Sequence, residues 1–533
     1  MPSSSHTVNS NNRSKRSTPS FVCEIPLRVT AAQERTLLVR FEAARQLYNA
    51  LLGEGLRRLR LLQQSRAYQA ARQMPVDARD EKKREQQRQQ RAMAFAKARR
   101  AVGFTEYALS RYATTLHHSW IGDHVDAVIG QTLTKRAFQA VNRMALGQAK
   151  KVRFKGRRGL HQIGSLEGKS NQAGLRWRDD ALHWGSLALP MKNKADRDPV
   201  IAYGLAQRIK YVRLVRRTIR GCRRWCAQLV CEGLPMRKLN PKTGRFQHPY
   251  GTEIQGLDIG PSTIAIVGET QAELRQFAAE VVRNHAEIRR LQRQLDRQRR
   301  ANNPNCYDAQ GRAIKGKHPT KKSQRQIQTE ARLAELFRRE AAHRKTLHGQ
   351  LANEMIARGT TIKTEKLSYK AFQKRFGRSI SVRAPKLFLT ILTRKAERAG
   401  GQVIEFNTRT TALSQTCVCG RRIPKRLSER VHRCVCGVVM QRDLFSGFLA
   451  RYVEDDALQV AKAQESWPGA EPLLRTAWQR AYNQPASRGQ LPSSFGRFPS
   501  GPSQSGSSEK ESLLKSERSD GVPRGRADQR TPV

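Results

Sequence analysis

EIQGLDIG, residues 253–260, sets an aspartate in the middle of an apolar strand, and the chain is read outward from it. Side chains alternate along a strand, so Asp258 shares a face with Ile254, Gly256 and Gly260. Aspartate is depleted in strands, and a buried carboxylate without a partner is costly. A bound divalent cation offsets that cost. Gly256 and Gly260 on the same face leave room for a metal or a phosphate to approach. The plainer alternative is a strand-edge aspartate facing water.

Downstream, TIAIVGE and ELRQFAAE complete a strand–turn–strand–turn–strand run. A long basic helix, VVRNHAEIRRLQRQLDRQRR, follows, then a Gly/Pro/Asn-rich break over 301–320 and a second long helix from about Lys322 to Arg358. TTIKTEKL reads as a strand with Glu365 on the face of Thr361 and Lys363, an alternation that is also ordinary on a half-exposed strand. Pro385 to Ala399 reads as an amphipathic helix closed by Gly400 and Gly401, and VIEFN as the next strand.

Asp443 stands before a helix whose Leu444, Phe445, Phe448, Leu449 and Tyr452 form an apolar stripe. Aspartate before a helix is ordinarily its N-cap. Asp258, Glu365 and Asp443 together say more, because three acids from separate elements can converge on hard cations through oxygen. In phosphodiester hydrolysis two Mg²⁺ ions, roughly 3.5–4 Å apart, activate the water and stabilise the leaving oxygen.

Between the last two elements runs TCVCGRRIPKRLSERVHRCVCG, which repeats Cys-Val-Cys-Gly. Four thiolates in two pairs, Cys417 with Cys419 and Cys434 with Cys436, can hold Zn²⁺ tetrahedrally. The pairs are Cys-x-Cys, shorter than the usual Cys-x-x-Cys. His432 is a possible substitute ligand and more simply a loop histidine. The other five cysteines show no framework spacing, so metal is favoured over disulfides.

The amino-terminal half has another character. Residues 1–20 are rich in Ser, Asn and Arg and read as disordered. FVCEIPLRV (21–29) alternates like a strand, and helical patterns fill most of 31–147. Residues 148–250 break into short alternating segments that suggest a small β-barrel or open sheet. Arg153, Lys155, Arg157 and Arg158 surround Phe154, a mixture suited to nucleic-acid contact or to a basic edge strand that avoids aggregation. Residues 465–533 are rich in Ser, Gly, Pro and Arg and read as a disordered tail.

The charge supplies the expected partner. One hundred Lys and Arg face 44 Asp and Glu, a formal net charge of +56. Cations spread along a chain suit a long polyanion, since each one set against a phosphate releases counterions. A structural RNA-binding protein would carry such charge too. No run of 18 apolar residues is present, so no transmembrane helix is expected, and Met1 to Ser20 lacks the apolar core of a secretory signal.

GLDIG, TEKL, SQTCVCG, HRCVCG and RDL resemble the split RuvC nuclease and zinc ribbon of TnpB, the transposon-encoded relatives of type V CRISPR effectors. The resemblance covers about residues 21–455 and is more specific in the C-terminal half. It implies an α+β multidomain protein: a wedge-like β-barrel (21–30 and 148–250) with a helical recognition insertion (31–147), then an RNase H-like (RuvC) α/β nuclease domain (251–410 and 438–464) with an inserted zinc ribbon (411–437). It implies catalytic carboxylates at Asp258, Glu365 and Asp443 holding Mg²⁺, and structural zinc on Cys417, Cys419, Cys434 and Cys436. It also implies a guide RNA, double-stranded target DNA read beside a short flanking motif, and a place in the prokaryotic cytoplasm with the nucleoid. Two features depart from the pattern. The cysteine pairs are each one residue short. Arg-Asp-Leu-Phe-Ser stands where the family commonly has Asp-Arg-Asp followed by Asn. An RNA-guided binder that does not cut, a repressor or transposition regulator, is the alternative reading.

Overall fold

The computed structural model describes residues 18–483 and 495–496, apart from 78–79, 157–161, 194–197, 241, 282–283, 317–318, 320 and 427. The N-terminal segment to residue 17, Arg157 and Arg158 lie outside the described residues. The chain divides into two units: residues 1–251, 278–360 and 382–402 in one, and 252–277, 361–381 and 403–533 in the other.

The first unit opens with β1 (Ser20–Pro26) and five helices: α1 (Ala31–Gln64), α2 (Arg66–Gln73), α3 (Glu81–Ala101), α4 (Glu106–His117) and α5 (Ala127–Ala145). Thr30 starts α1 with a capping box, its hydroxyl accepting from the N–H of Gln33 while the Gln33 side chain returns to the N–H of Thr30. Leu37, Phe41, Leu47, Leu51 and Leu59 then recur at helical spacing on a buried face. Next come β2 (Ser165–Glu167), β3 (Arg176–Arg178), β4 (Ala181–Trp184), β5 (Leu187–Pro190), α6 (Pro199–Leu205), β6 (Ile209–Ile219) and β7 (Cys222–Glu232).

The expected barrel does not form among the described residues. Strands pair as an open four-stranded sheet, β1-β7-β6-β2, and a separate three-stranded sheet, β3-β4-β5. A single bridge, Leu27 to Met191, joins them at a corner. The physical reason is strand length: β6 and β7 run eleven residues each, whereas β2 to β5 have three or four and cannot carry a continuous ladder round a ring. The unit also contains α7 (His285–Asn302), α8 (Gln324–Arg358) and α10 (Pro385–Arg398).

The second unit is built on a five-stranded sheet, ordered β10-β9-β8-β11-β12. Its strands are β8 (Ile254–Ile259), β9 (Thr263–Val267), β10 (Ala272–Gln276), β11 (Thr361–Glu365) and β12 (Gln402–Phe406). The first three form an antiparallel meander, and β11 lies parallel to β8. Helix α9 (Tyr369–Arg383) follows β11 in the chain, and the short α11 (Thr408–Thr411) follows β12. The hairpin β13 (Val431–Arg433) and β14 (Val439–Gln441) leads into α12 (Arg442–Ala450), followed by the two-residue strands β15 (Val453–Glu454) and β16 (Ala457–Leu458).

The disordered-tail expectation is overturned over its first part. Val460–Asn483 is a helix, α13, and Trp467, Leu474 and Trp478 are buried in the core with Phe445 and Phe448. The indole N–H of Trp478 donates to the carbonyl of Phe495 at 3.0 Å. Pro468, Gly469 and Pro472 make the stretch look like loop, yet Ala463, Trp467, Ala470, Leu474, Ala477 and Ala481 lie on one helical stripe. Burial of two tryptophans outweighs the lost backbone hydrogen bonds. Residues 484–494 and 497–533 lie outside the described residues.

Candidate active site and metal centre

The three acids converge because of two alignments. The parallel register pairs Ile254 with Thr361 and Leu257 with Thr364, so the next step puts Glu365 beside Asp258, about 4.8 Å away as adjacent strands are spaced. The second alignment is α12 crossing β8 in the opposite direction. A Cβ on Gly256 would sit 1.8 Å from the carbonyl oxygen of Gly447, so the contact requires glycine at 256. One turn on, Arg451 Nε donates to the carbonyl of Ile254 at 3.1 Å. One turn back from Gly447 is Asp443, and two residues forward from Gly256 is Asp258. Each turn of helix matches two residues of strand, so Asp443 comes over Asp258.

The space that Gly256 was expected to leave for a metal or a phosphate is therefore filled by the backbone of α12, and beside Gly260 the nearest atom is the Thr263 hydroxyl. Asp443 is not the expected helix cap either. Gln441 caps α12, its side-chain oxygen accepting from the N–H of Leu444 at 2.7 Å. Asp443 is the second helical residue, 7% exposed. Its Oδ2 accepts from the Thr263 hydroxyl at 3.4 Å, and its Oδ1 from Nε and Nη2 of Arg442 at 3.3 Å each.

The electrostatics match a site that gathers like charge. Burial raises the Asp258 pKa well above the usual carboxylate range, and the charges of Asp443 and Glu365 raise it further, against Arg442 and Arg430. Burial lifts Glu365 to about 7, although the N–H of Leu413 donates to it. Such carboxylates hold protons unless a cation replaces them. Three hard oxygen donors are of the kind that Mg²⁺ or Mn²⁺ takes, although among the described residues only the four cysteines bring ligand atoms within 4.8 Å of one another.

Sequence reasoning missed the groups that frame this site. Lys363 shares the face of Glu365 and donates through Nζ to the carbonyls of Arg451 and Val453 at 2.9 and 2.8 Å, fixing the chain where α12 ends. Its alternation with Glu365 was the available signal. Arg430, whose field reaches Asp258 and Asp443, comes from the irregular approach to β13 and has no periodic signature.

The cysteines do meet. The four sulfurs lie within 4.8 Å of one another, Cys417 to Cys436 at 3.5 Å and Cys419 to Cys434 at 3.6 Å. Each Cys-Val-Cys-Gly is a turn closed by its glycine: the N–H of Gly420 donates to Cys417 and that of Gly437 to Cys434, with φ of +80° and +92°. The two turns are alike, so a spacing one residue short still aims two thiols inward per turn. Burial opposes the Cys434 thiolate, but the Cys436 N–H and the neighbouring thiols hold its pKa at about 7. Four convergent thiols are the donor set of a closed zinc site. His432 is outside the cluster, fully buried 4.4 Å from the Phe445 ring with Nδ1 against Lys425.

An acid trio on a mixed sheet beside a four-cysteine cluster defines the class to compare with. The family model described as Cas12f1-like, TNB domain, matches residues 386–446, a stretch that holds all four cysteines and Asp443. No curated protein matches the chain. Among solved structures, a Cas12f1–sgRNA–target DNA complex aligns with 81% of this chain and 98% of that one, at 11% identity and a TM-score of 0.38. A CRISPR–Cas12f ternary complex aligns with 78% and 81%, at 11% identity and a TM-score of 0.23. At those values the structural alignments carry no further argument. The chain is similar to the Cas12f1-like relatives of TnpB, through the matched segment and the motifs around it.

Proposed function

We propose that this chain is an RNA-guided DNA endonuclease whose RuvC-like site is Asp258, Glu365 and Asp443, with structural zinc on Cys417, Cys419, Cys434 and Cys436. The observation that carries the reading is the convergence of the three acids through the Gly256–Gly447 crossing. The strand order, a meander with a parallel strand added beside its first member, supports an RNase H-like nuclease domain. The helices α1 to α5 serve as the recognition insertion and the β1-β7-β6-β2 sheet as the wedge. The net charge of +56 suits guide RNA and target DNA together. No helix among the described residues is long and apolar enough to cross a membrane, and the reading places the protein with nucleoid DNA in the cytoplasm.

Bound Mg²⁺ would lower the pKa of a ligated water and stabilise charge at the attacked phosphate. Asp258 and Glu365 would hold the cations from the sheet and Asp443 from the helix. The raised proton affinity of Asp258 and Glu365 means that protons leave these two as the site fills. Arg430 and Arg442 temper the acids' repulsion of an incoming polyanion.

Asp258→Ala tests this directly. With its own guide and a library of flanking motifs, the variant should bind target DNA as wild type does and cut none of it in Mg²⁺. Equal cutting by variant and wild type would refute the assignment. One observation favours a second reading, guided binding without cleavage: Arg442 occupies an oxygen of Asp443 that a metal would use. Wild-type protein that binds guided targets and cuts nothing in Mg²⁺ or Mn²⁺ would establish that reading.

A further inference from the structure

The first unit contains a cavity of about 580 Å³ that the carboxylate and cysteine sites do not explain. Its volume falls in the range of small-molecule sites. The apolar lining comes from the first turns of α1, with Leu38, Val39 and Phe41, and from Trp120 and Ile163. Trp120 is 48% exposed, a large ring left open to solvent at the edge of the cavity.

The polar lining is cationic, and one cation stands out. Arg45 is paired with Glu42 at 2.6 Å and Arg223 with Glu34 at 3.1 Å. Arg216 makes no ion pair among the described residues. It lies over the Phe41 ring, 5.1 Å from its centre, and Nη2 donates to the Gln162 side chain at 2.7 Å and the carbonyl of Ile163 at 3.0 Å. Among the described residues its Nε and Nη1 have no acceptor. A half-buried guanidinium held by neutral acceptors, with two donors left over, is built for an anion that arrives from outside.

Gly156, which lines this cavity, ends the Arg153–Phe154–Lys155 segment noted in the sequence. The segment is pinned across α1: the Asn49 side chain takes the N–H of Lys155 at 2.7 Å and donates to its carbonyl at 2.9 Å, and Arg45 adds 3.1 Å to the same carbonyl. Phe154 is held 50% exposed on the fixed backbone. The open ring of Trp120, an apolar floor and one unpaired guanidinium are the parts that grip an unstacked nucleotide.

We infer that this cavity binds one unstacked nucleotide of a single strand, its base against Trp120 and Val39 and its phosphate on Arg216. The inference rests on nucleic acid being the partner, as proposed above, and adds where a strand is held.

The test uses the full-length protein and a fluorescent single-stranded RNA of about 12 nucleotides, within the span such grooves cover. The matching DNA strand and the RNA duplex are run beside it. Trp120→Ala should weaken single-strand binding about tenfold, since a stacked base contributes about 1–3 kcal/mol. Arg216→Ala should weaken it similarly and lower the log–log salt slope by about 0.7, the value of one phosphate on a single strand. Val39→Trp should block the base and leave the salt slope unchanged. Duplex binding should be the same in all three variants, and the ratio of RNA to DNA losses tells which strand is held.

If Arg216→Ala does not fold, the Trp120 and Val39 variants decide. Wild-type affinity in both, or equal losses on duplex and single strand, would overturn the inference and leave the proposed function standing. Wild-type protein that binds no strand would overturn both.

Discussion

The two units each carry a sheet studded with charge, and they handle it in opposite ways. On the first sheet the carboxylates are paired at home. Arg217 grips both oxygens of Glu24, Gln228 adds a bond to the same carboxylate, and Arg213 meets Glu167 at 2.8 Å. Burial alone would raise the Glu24 pKa, but Arg217 and Gln228 hold it below the usual range. At the second sheet Asp258 and Glu365 are gathered with Asp443 of α12; of the three only Asp443 has an ion pair among the described residues, with Arg442, and the other two are pushed upward. Paired charge completes a structure. Collected charge leaves a structure incomplete until a cation arrives, which is the feature the proposed metal site uses.

The largest effect expected is on the core under the second sheet. Ending the chain after residue 459 removes Trp467, Leu474 and Trp478 from that core. Trp478→Ala alone should cost about 3–5 kcal/mol, as large core truncations do. Thermal unfolding of the variant checks it, and an unchanged melting temperature would show that α13 does not belong to the core. Next is the cysteine cluster. Cys434→Ser should reduce zinc, measured by metal analysis of the purified chain, from about one per chain to well below it, and the melting temperature should fall with it. Wild-type protein that is folded and metal-free would exclude the zinc assignment.

Gly256→Ala should cost about 1–3 kcal/mol through overpacking against Gly447, and cleavage should drop further than stability because Asp443 is pushed away from Asp258. Gly53, inside α1 with open space around its α-carbon, is the contrast: Gly53→Ala should stabilise by about 0.5–1 kcal/mol. Chemical denaturation of both variants measures the difference in sign.

The pH response should also differ in sign between the units. Glu365 is raised from 4.5 to about 7, so its neutral form favours the folded state. In metal-free protein that contribution is complete below pH 4.5 and lost as pH rises through about 7. Glu54 is held at about 2, because Arg57 and Arg58 together overcome its burial. Its contribution is present above pH 4.5 and lost as pH falls through about 2. Stability curves of Glu365→Gln and Glu54→Gln should therefore depart from wild type on opposite sides of pH 4.5, and added Mn²⁺ should cancel the Glu365 slope alone. A Glu365→Gln curve parallel to wild type would mean that Glu365 does not titrate there.

Residue order alone was enough to find the three acids, the four cysteines and most long elements. Asp258 is conspicuous because a strand ordinarily excludes aspartate, and the Cys-Val-Cys-Gly repeat because two identical turns place four thiols. Periodicity likewise marks α1, α8 and α10, since a buried stripe must recur every three or four residues. Tertiary structure decided the rest. Whether Asp443 caps a helix or faces Asp258 depends on the crossing of α12 over β8, and that crossing needs the bare α-carbon of Gly256 against the backbone of Gly447, 191 positions away, a meeting no local pattern announces. The open sheet in place of a barrel followed from strand lengths that short alternating segments do not define. The helix beyond residue 460 was hidden by two prolines and a glycine whose local preference is for loop, and it forms because two tryptophans bury more apolar surface than those preferences cost.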